Sequence, residues 1–239
     1  MDKILIVITG IGDPHYNEKV NILNNNLKRI IDTNIHYKLK VLVSLYSVNN
    51  ELNISNPNIK LKIIREQNYI GDFILKHVKP KKKYKYIILL LDDIELNDTF
   101  NLENIINMYN NTKFPTEYNI LSPTLTCDSV YSHEYMLMNN ANISNVQGNG
   151  FISKKCEYFF YLMNNKSYNQ YYKIFTDNSK YVKYMWGIDI ILHKYNISTL
   201  LLKSFNVKHY YTHGAGEHAD KCRKYMKKLL KNIKKLNLN

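Results

Sequence analysis

The strongest constraint on the fold of this chain is the apolar run at residues 86–91, which acidic residues follow at once. The run reads Tyr-Ile-Ile-Leu-Leu-Leu, and Asp92, Asp93 and Glu95 come directly after it. A short, continuous apolar run predicts a strand that is covered on both faces, as in a parallel sheet. The carboxylates would then lie at the carboxyl end of that strand, which is the edge where open α/β sheets bind ligands.

Strand and helix patterns alternate along the first hundred residues. Apolar runs predict strands at 4–8, 39–46, 59–64 and 86–91, and helical spacing predicts helices at 19–31 and 72–78. This alternation favours a Rossmann-like α/β/α sandwich with a mainly parallel central sheet. The later part predicts helices at 100–109, 156–163 and 220–236, a helix within 181–195, and strands at 119–122, 148–153 and 197–211. Since no linker or repeat interrupts these patterns, we expect a single domain.

The composition limits the partners and the compartment of the chain. A net charge of +13 attracts phosphate-bearing ligands, nucleic acid or acidic membranes without choosing among them. Abundant Asn, Lys and Ile and 21 tyrosines are typical of an AT-rich genome, such as that of a large DNA virus or a low-GC microbe. The three cysteines lie far apart, which disfavours a zinc site and suits a reducing compartment. Because no apolar run could span a bilayer and no signal peptide is recognisable, we expect a soluble cytoplasmic protein.

The acidic cluster after the fourth strand has two interpretations. Three carboxylates within four residues repel one another, and a divalent cation with oxygen ligands relieves that repulsion. The alternative is an acidic loop that caps the positive end of the following helix.

The segment Met-Trp-Gly-Ile-Asp at 185–189 is the second candidate site. Gly187 allows a tight turn beside Trp186, whose ring is a surface on which sugars stack. Asp189 either caps the helix that follows or acts as a general base beside the aromatic ring.

Three further patterns carry weaker signals. His209 and His213 near the end of the last strand are either metal ligands or structural residues. The loop at 9–13 contains Gly10 and Gly12 and allows close approach of a nucleotide, although the full dinucleotide fingerprint is absent. Arg65 and Asp72 flank a turn and either contact a nucleotide or form a surface ion pair.

The order of these pieces resembles that of the GT-A glycosyltransferases, in particular small stand-alone viral and bacterial members, over roughly Ile4 to Gly214. The Trp-Gly-Ile-Asp segment also resembles the W-G-x-E-D region of animal galactosyltransferases. The resemblance implies transfer of a sugar from a UDP- or GDP-linked donor to a hydroxyl of a glycan or glycoprotein. It also implies dependence on Mn²⁺ or Mg²⁺, and a division into a nucleotide-binding half (1–98), an acceptor and catalytic half (99–214) and a basic helix (215–239).

The resemblance implies roles for individual residues. The donor and its nucleotide would be bound by Thr9, Gly10, Arg65, Asp72, Asp92 and Gly150. The metal would be bound by Asp93 and His209, with Glu95 and His213 as further candidates. Trp186 and Gly187 would contact the acceptor, and Asp189 would be the catalytic base. Leu91 stands where the family has its first Asp, and Glu95 is the residue that would compensate.

Two other classes of protein remain open from the sequence. An S-adenosylmethionine-dependent methyltransferase would use the glycine-containing loop at 9–13 and would need no metal. A basic nucleic-acid-binding module would use the positive charge, but no helix-turn-helix, RNP-like or zinc motif supports it, so we expect no nucleic-acid partner. The basic helix at 220–236 either contacts an anionic membrane through its apolar stripe or packs against the domain.

Overall fold

The computed structural model describes residues 2–11, 15–45, 59–66, 69–130, 150–153, 156–210 and 217–236. These residues form strands and helices in the order β1 (Lys3–Ile11), α1 (Tyr16–Asp32), β2 (Lys38–Leu45), β3 (Ile59–Arg65), α2 (Ile70–His77), β4 (Tyr86–Leu91), β5 (Ile94–Leu96), α3 (Leu102–Asn111), β6 (Tyr118–Leu125), β7 (Gly150–Ser153), β8 (Phe160–Asn164), α4 (Asn165–Asp177), α5 (Ile188–Lys194), β9 (Ile197–His209) and α6 (Glu217–Leu236). The predicted mixed α/β architecture is confirmed.

One central sheet joins all of these strands. Its order is β3-β2-β1-β4-β8-β6-β9-β5, and β7 pairs with β9. The first four strands in this order are parallel, whereas β8 runs antiparallel to both β4 and β6. Residue Thr9 of β1 lies opposite Leu91 of β4. The carboxyl ends of these two strands, and the residues that follow them, therefore lie side by side at one edge of the sheet.

The predicted helix at 156–163 is wrong. Residues 160–164 form β8, which lies between β4 and β6 at the centre of the sheet. Residues 158–163 are all buried, and a continuous apolar run of this length is compatible with a buried strand as well as with a helix. The amphipathic helix α4 follows directly and was not predicted.

Strand β9 has thirteen residues and holds the second half of the sheet together. It pairs with β6 in parallel and with β5 and β7 antiparallel. Pro123 of β6 lies opposite Leu202 and the next residue, Thr124, lies opposite Asn206, so β9 contains three residues, 203–205, that have no counterpart on β6. Beyond this bulge, β9 continues to His209, which lies opposite Ile94 of β5.

The basic C-terminal helix α6 packs on the domain. Cys222, Leu229 and Ile233 on its apolar stripe are buried, while the lysines at 224, 227, 228, 231 and 234 are exposed. The stripe that a membrane-binding helix would use is therefore covered by the protein itself. Membrane contact through α6 stays a prediction, and the exposed lysines of this helix are the feature that supports it. Within the described part of the chain, no helix is long and apolar enough to cross a membrane.

Candidate functional site

The turn that follows β4 buries two adjacent carboxylates. Asp92 is 4% exposed and Asp93 is 1% exposed. The backbone N–H of Asp92 donates to the carbonyl of Thr9 at 3.0 Å, which fastens this turn to the end of β1. The sheet therefore brings the predicted residues Thr9, Gly10, Asp92 and Asp93 together at one edge.

Lys19 of α1 neutralises the first of these carboxylates. Its Nζ atom lies 2.7 Å from Oδ2 of Asp92, and the side chain of Lys19 is only 3% exposed. Burial raises the pKa of Asp92 to about 7, and the neighbouring charge of Asp93 adds to the rise, while Lys19 opposes it. Lys19 was not recognised as a site residue in the sequence. The available signal was its position four residues before Leu23, on the apolar face of the predicted helix.

Gly10, which lies within β1 and not in the predicted loop at 9–13, is required because the end of this strand comes close to Asp92. Its φ angle is +109°, and a Cβ atom at this position would lie 2.6 Å from Oδ1 of Asp92. Any other residue would combine a strained backbone with a steric clash. The glycine therefore lets the end of β1 and the acidic turn share one small space, and the predicted approach of a nucleotide to Gly10 stays a prediction.

The carboxylate of Asp93 lies beside the imidazole of His209. Oδ2 of Asp93 lies 3.3 Å from Nε2 of His209, and both side chains are almost fully buried. The two backbones are also joined, because the N–H of Tyr210 donates to the carbonyl of Asp93 at 3.1 Å. On its other side the His209 ring packs against Phe159, with ring centroids 4.9 Å apart. Strand β9 and the turn after β4 thus hold the pair in a fixed relationship.

The chemistry of this pair fits a divalent cation. A carboxylate oxygen and a neutral imidazole nitrogen are ordinary ligands of such ions. Two bonds of about 2.1 Å at a right angle would separate their donor atoms by about 3.0 Å, close to the 3.3 Å between Asp93 and His209. Among the described residues, no group of three or more His, Cys, Asp or Glu side chains gathers around a common point. His213 lies outside the described residues.

Glu95, the other candidate ligand, is engaged elsewhere. Its carboxylate accepts hydrogen bonds from the hydroxyl of Tyr210 and, at 3.5 Å, from Nδ2 of Asn25. Its role as a replacement for the carboxylate missing at Leu91 stays a prediction.

Asn26 of α1 fixes the strand that follows the acidic turn. Its Nδ2 donates to the carbonyl of Ile94 at 2.7 Å, and its Oδ1 accepts from the N–H of Leu96 at 2.8 Å. One buried amide side chain thus satisfies two backbone groups of β5. Since Lys19 lies two helical turns earlier, α1 holds the acidic turn through Asp92 and through β5. This role was not predicted, because nothing in the sequence distinguishes Asn26 from the many other asparagines of the chain.

The Trp-Gly-Ile-Asp segment forms a tight turn before α5. Met185 and Gly187 have φ angles of 65° and 81°, so left-handed residues flank the half-buried Trp186 on both sides. Gly187 is the residue before α5, and Asp189 lies in the first turn of that helix. A Cβ atom on Gly187 would lie 3.0 Å from Cγ of Met226, because α6 packs against this turn.

The short segment at 156–159, directly before β8, packs beside Thr9 and His209 of the candidate site. The hydroxyl of Tyr158 lies 3.5 Å from Oγ1 of Thr9, and Phe159 contacts His209 as described above. At the start of the segment, burial raises the pKa of the Cys156 thiol, and the charge of Asp189 adds to the rise. Tyr158 and Phe159 therefore contact the end of β1 and His209, and the charge of Asp189 acts on the thiol of Cys156 in the same segment. Their misassignment as a helix hid this role in the sequence.

Comparisons with known proteins identify the fold. No protein-family model and no curated protein sequence matches the chain. A crystal structure described as GalNAc-T7 with UDP, GalNAc and Mn²⁺ is similar to it, with a TM-score of 0.56 and 8% sequence identity. The match covers 95% of this chain and 48% of the other, so the chain spans about half the length of the protein it resembles.

The chain has a GT-A fold.

The remaining predicted residues occupy separate places in this GT-A fold. Arg65 is exposed at the end of β3, in register with Leu45 of β2. Asp72 of α2 is partly exposed and lies 3.8 Å from Nζ of Lys183, in the segment that leads to Trp186. Gly150 begins β7, where a Cβ atom would lie 2.9 Å from the carbonyl oxygen of Leu201. Close packing explains why Gly150 is a glycine, and its contact with a donor stays a prediction.

Three tyrosines join the start of α2 to the turn that carries Trp186. The ring centroids of Tyr69 and Tyr184 lie 4.4 Å apart in an edge-to-face arrangement, and those of Tyr184 and Tyr225 lie 5.0 Å apart with tilted rings. In addition, the N–H of Gly71 donates to the carbonyl of Lys183 at 3.1 Å. The start of α2, the turn before α5 and the helix α6 therefore form one packed unit beside the candidate site.

Proposed function

We propose that this protein is a glycosyltransferase that moves a sugar from a UDP- or GDP-linked donor to a hydroxyl group of a glycan or glycoprotein. The observation that carries the proposal is the buried pair of Asp93 and His209, which lies at the ligand-binding edge of a GT-A sheet. The structure with the similar fold contains UDP, GalNAc and Mn²⁺ by its own description, which agrees with this chemistry.

In this proposal Asp93 and His209 hold a Mn²⁺ or Mg²⁺ ion. Such an ion stabilises the negative charge that develops on a departing diphosphate. The buried Lys19 compensates the charge of Asp92, so the turn can approach a phosphorylated ligand without two adjacent uncompensated carboxylates. Thr9 and Gly10 provide backbone beside this position, and Gly10 leaves it free of a side chain.

Asp189 is the proposed general base. As the acceptor oxygen attacks the anomeric carbon, a new glycosidic bond forms and the bond from that carbon to the diphosphate breaks. The proton of the acceptor hydroxyl passes to the carboxylate of Asp189. The half-buried Trp186, three residues earlier, offers a ring against which the acceptor sugar can stack. The charge of Asp189 acts on the thiol of Cys156, in the segment whose Phe159 contacts His209, and this supports the assignment.

A screen of nucleotide sugars with and without Mn²⁺ tests the proposal. We expect one UDP- or GDP-linked sugar to raise the melting temperature in the presence of Mn²⁺ and to be slowly hydrolysed. Asp93→Asn should abolish the metal-dependent part of both signals. Asp32→Asn, which removes an exposed carboxylate from the end of α1, is the matched control and should behave like the parent.

Two results would contradict the proposal. The assignment of the metal fails if Asp93→Asn responds to metal and nucleotide as the parent does. The class of enzyme is wrong if S-adenosylmethionine raises the melting temperature without metal while no nucleotide sugar does. The cytoplasmic location, the absence of a nucleic-acid partner and the division at residues 98 and 214 remain predictions from the sequence.

A further inference from the structure

A groove lined by lysines lies at the end of the sheet opposite to the candidate active site. It consists of two adjoining depressions of about 370 and 80 Å³ that share Lys40 and Tyr84. The floor is formed by the first residues of the parallel strands, and one wall is formed by the connection between α2 and β4. The lysines that line it are Lys3, Lys38, Lys40, Lys60, Lys62, Lys79, Lys81 and Lys83.

The sheet register forces several of these charges together. Lys40 of β2 lies directly opposite Lys60 of β3, and like charges in such cross-strand pairs are unfavourable. Lys40 is partly buried in the groove. Burial lowers its pKa, and the charges of Lys83, Lys81, Lys62 and Lys60 lower it further. The folded chain therefore holds repelling ammonium groups around one recess, where a bound anion would relieve the repulsion.

Two acidic residues beside the groove pair with groups other than its lysines. Asp2 lies 2.7 Å from Lys85, and Glu66 contacts Lys76 and also His77, which lines the smaller depression. Among the described residues, none of the eight lysines that line the groove takes part in an ion pair. The fold thus leaves a concentrated positive charge without an internal counter-charge, which is the arrangement expected of an anion-binding site.

The shape and lining of the groove restrict the class of anion. Tyr84 in the lining is 3% exposed, and the His77 ring packs against Phe73 with ring centroids 5.1 Å apart, so the groove has no open aromatic platform on which nucleic-acid bases could stack. The exposed large apolar residues of the described chain lie elsewhere, so nothing here would insert into a membrane. Lys40 is partly buried whereas Lys60 and Lys83 are exposed, so a small molecule can reach Lys40 more readily than a flat lipid surface can. The volume of about 370 Å³ is typical of a site for a small molecule.

We propose that this groove binds a small soluble molecule that carries several phosphate groups. Lysine ammonium groups from the three strands and from the α2–β4 connection bind the phosphate oxygens, and no metal ion is required. The proposal is independent of the sugar-transfer function, since the groove contains none of the residues assigned to it. A ligand in the groove would leave the opposite edge of the sheet open.

Inorganic tripolyphosphate is the probe, titrated calorimetrically in EDTA so that no metal site contributes. We expect saturable binding that weakens as salt is raised from 50 to 200 mM. The combined variant Lys40→Gln, Lys62→Gln and Lys81→Gln should weaken binding by at least about tenfold, because it removes three charged hydrogen-bond donors. The control combines Lys28→Gln, Lys113→Gln and Lys194→Gln, which removes the same charge from exposed positions elsewhere and should change binding less than about twofold.

A further double variant tests the groove without changing a buried side chain, so that weaker binding cannot be explained by loss of folding. Lys60→Gln with Lys83→Gln changes only exposed side chains at the groove and should still weaken binding several-fold. Equal weakening by the groove and control variants would overturn the proposal in favour of a general charge effect. So would groove-dependent binding of RNA or phosphatidylserine vesicles without binding of tripolyphosphate. Turnover of the nucleotide sugar by the groove variants should match the parent, so failure here and failure of the sugar-transfer proposal can be told apart.

Discussion

Lys19 and Asp92 form a buried ion pair between the first turn of α1 and the end of β4, with Nζ and Oδ2 2.7 Å apart. Neither side chain reaches solvent to any useful extent, so each charge depends on the other for compensation. The pair joins the helix after β1 to the acidic turn, and thereby fixes the neighbouring Asp93.

Lys19→Met should destabilise the protein strongly. It leaves the carboxylate of Asp92 buried beside Asp93, and breaking a buried pair in this way costs about 3–5 kcal/mol. Lys19→Met with Asp92→Asn should be less destabilised than Lys19→Met alone, because no uncompensated charge remains. Urea denaturation of the single and double variants measures both effects. Lys28→Met, at an exposed position of the same helix, should change the free energy of unfolding by less than about 0.5 kcal/mol. If the double variant were as unstable as the sum of the single variants, the two residues would not be coupled.

Asn26→Ala should weaken the proposed metal binding without removing either of the proposed ligands. The substitution leaves the carbonyl of Ile94 and the N–H of Leu96 without their buried partner, at a cost of about 1–3 kcal/mol for each group. Since β5 carries the backbone next to Asp93, we also expect the apparent affinity for Mn²⁺ to fall about 10- to 100-fold, as for other residues that orient ligands. Asn24→Ala changes an exposed residue on the same helix and is the control. Unchanged metal affinity in a folded Asn26→Ala protein would argue against this positioning role.

Gly187→Ala should destabilise the turn that carries Trp186 for two separable reasons. The φ angle of +81° is unfavourable for alanine, and the new Cβ atom would lie 3.0 Å from Cγ of Met226. We expect a loss of about 1–3 kcal/mol. In a Met226→Ala background the steric part disappears, so the additional cost of Gly187→Ala should be smaller while the backbone part persists. An identical cost in both backgrounds would show that α6 does not press on this turn.

The three cysteines should differ sharply in reactivity. Cys127 is exposed, whereas Cys156 and Cys222 are buried. Burial raises the pKa of Cys222 to about 11, so at pH 8 only about one thiol in a thousand is the reactive thiolate. The pKa of Cys156 is raised as well. A thiol reagent at pH 8 should modify Cys127 in the native protein and all three cysteines in urea, as peptide mass analysis would reveal. Rapid native labelling of Cys222 would mean that α6 detaches.

The sequence predicted the fold from features that tertiary contacts do not override. The apolar runs at β1 and β4 contain β-branched residues, which favour a buried strand over a helix, and both strands lie where predicted. The run at 158–163 was ambiguous, because a buried strand and a buried helix share the same apolar composition. Its assignment depends on pairing with β4 and β6, whose paired residues lie 41 or more positions earlier in the chain.

The sequence predicted the site residues that lie at the ends of strands. It did not predict the residues of α1 that pair with the acidic turn or hydrogen-bond to β5. Asp93 and His209 each follow or end an apolar strand, so sheet topology explains how they meet. Lys19 and Asn26 act through one face of α1, and their side chains resemble the many exposed lysines and asparagines of this composition. Only the depth at which α1 packs against the sheet distinguishes them, and that depth is a property of the whole fold.

The bulge of three residues in β9 imposes a constraint of length rather than of chemistry. Side chains alternate between the two faces of a strand, so the number of residues between Leu202 and His209 decides which way the imidazole points. Inserting or deleting a single residue there would turn His209 away from Asp93 while leaving every strand in its place. Among sequences that share this site, we therefore expect the spacing to be kept even where Lys203 and Ser204 vary, while the buried Phe205 stays apolar.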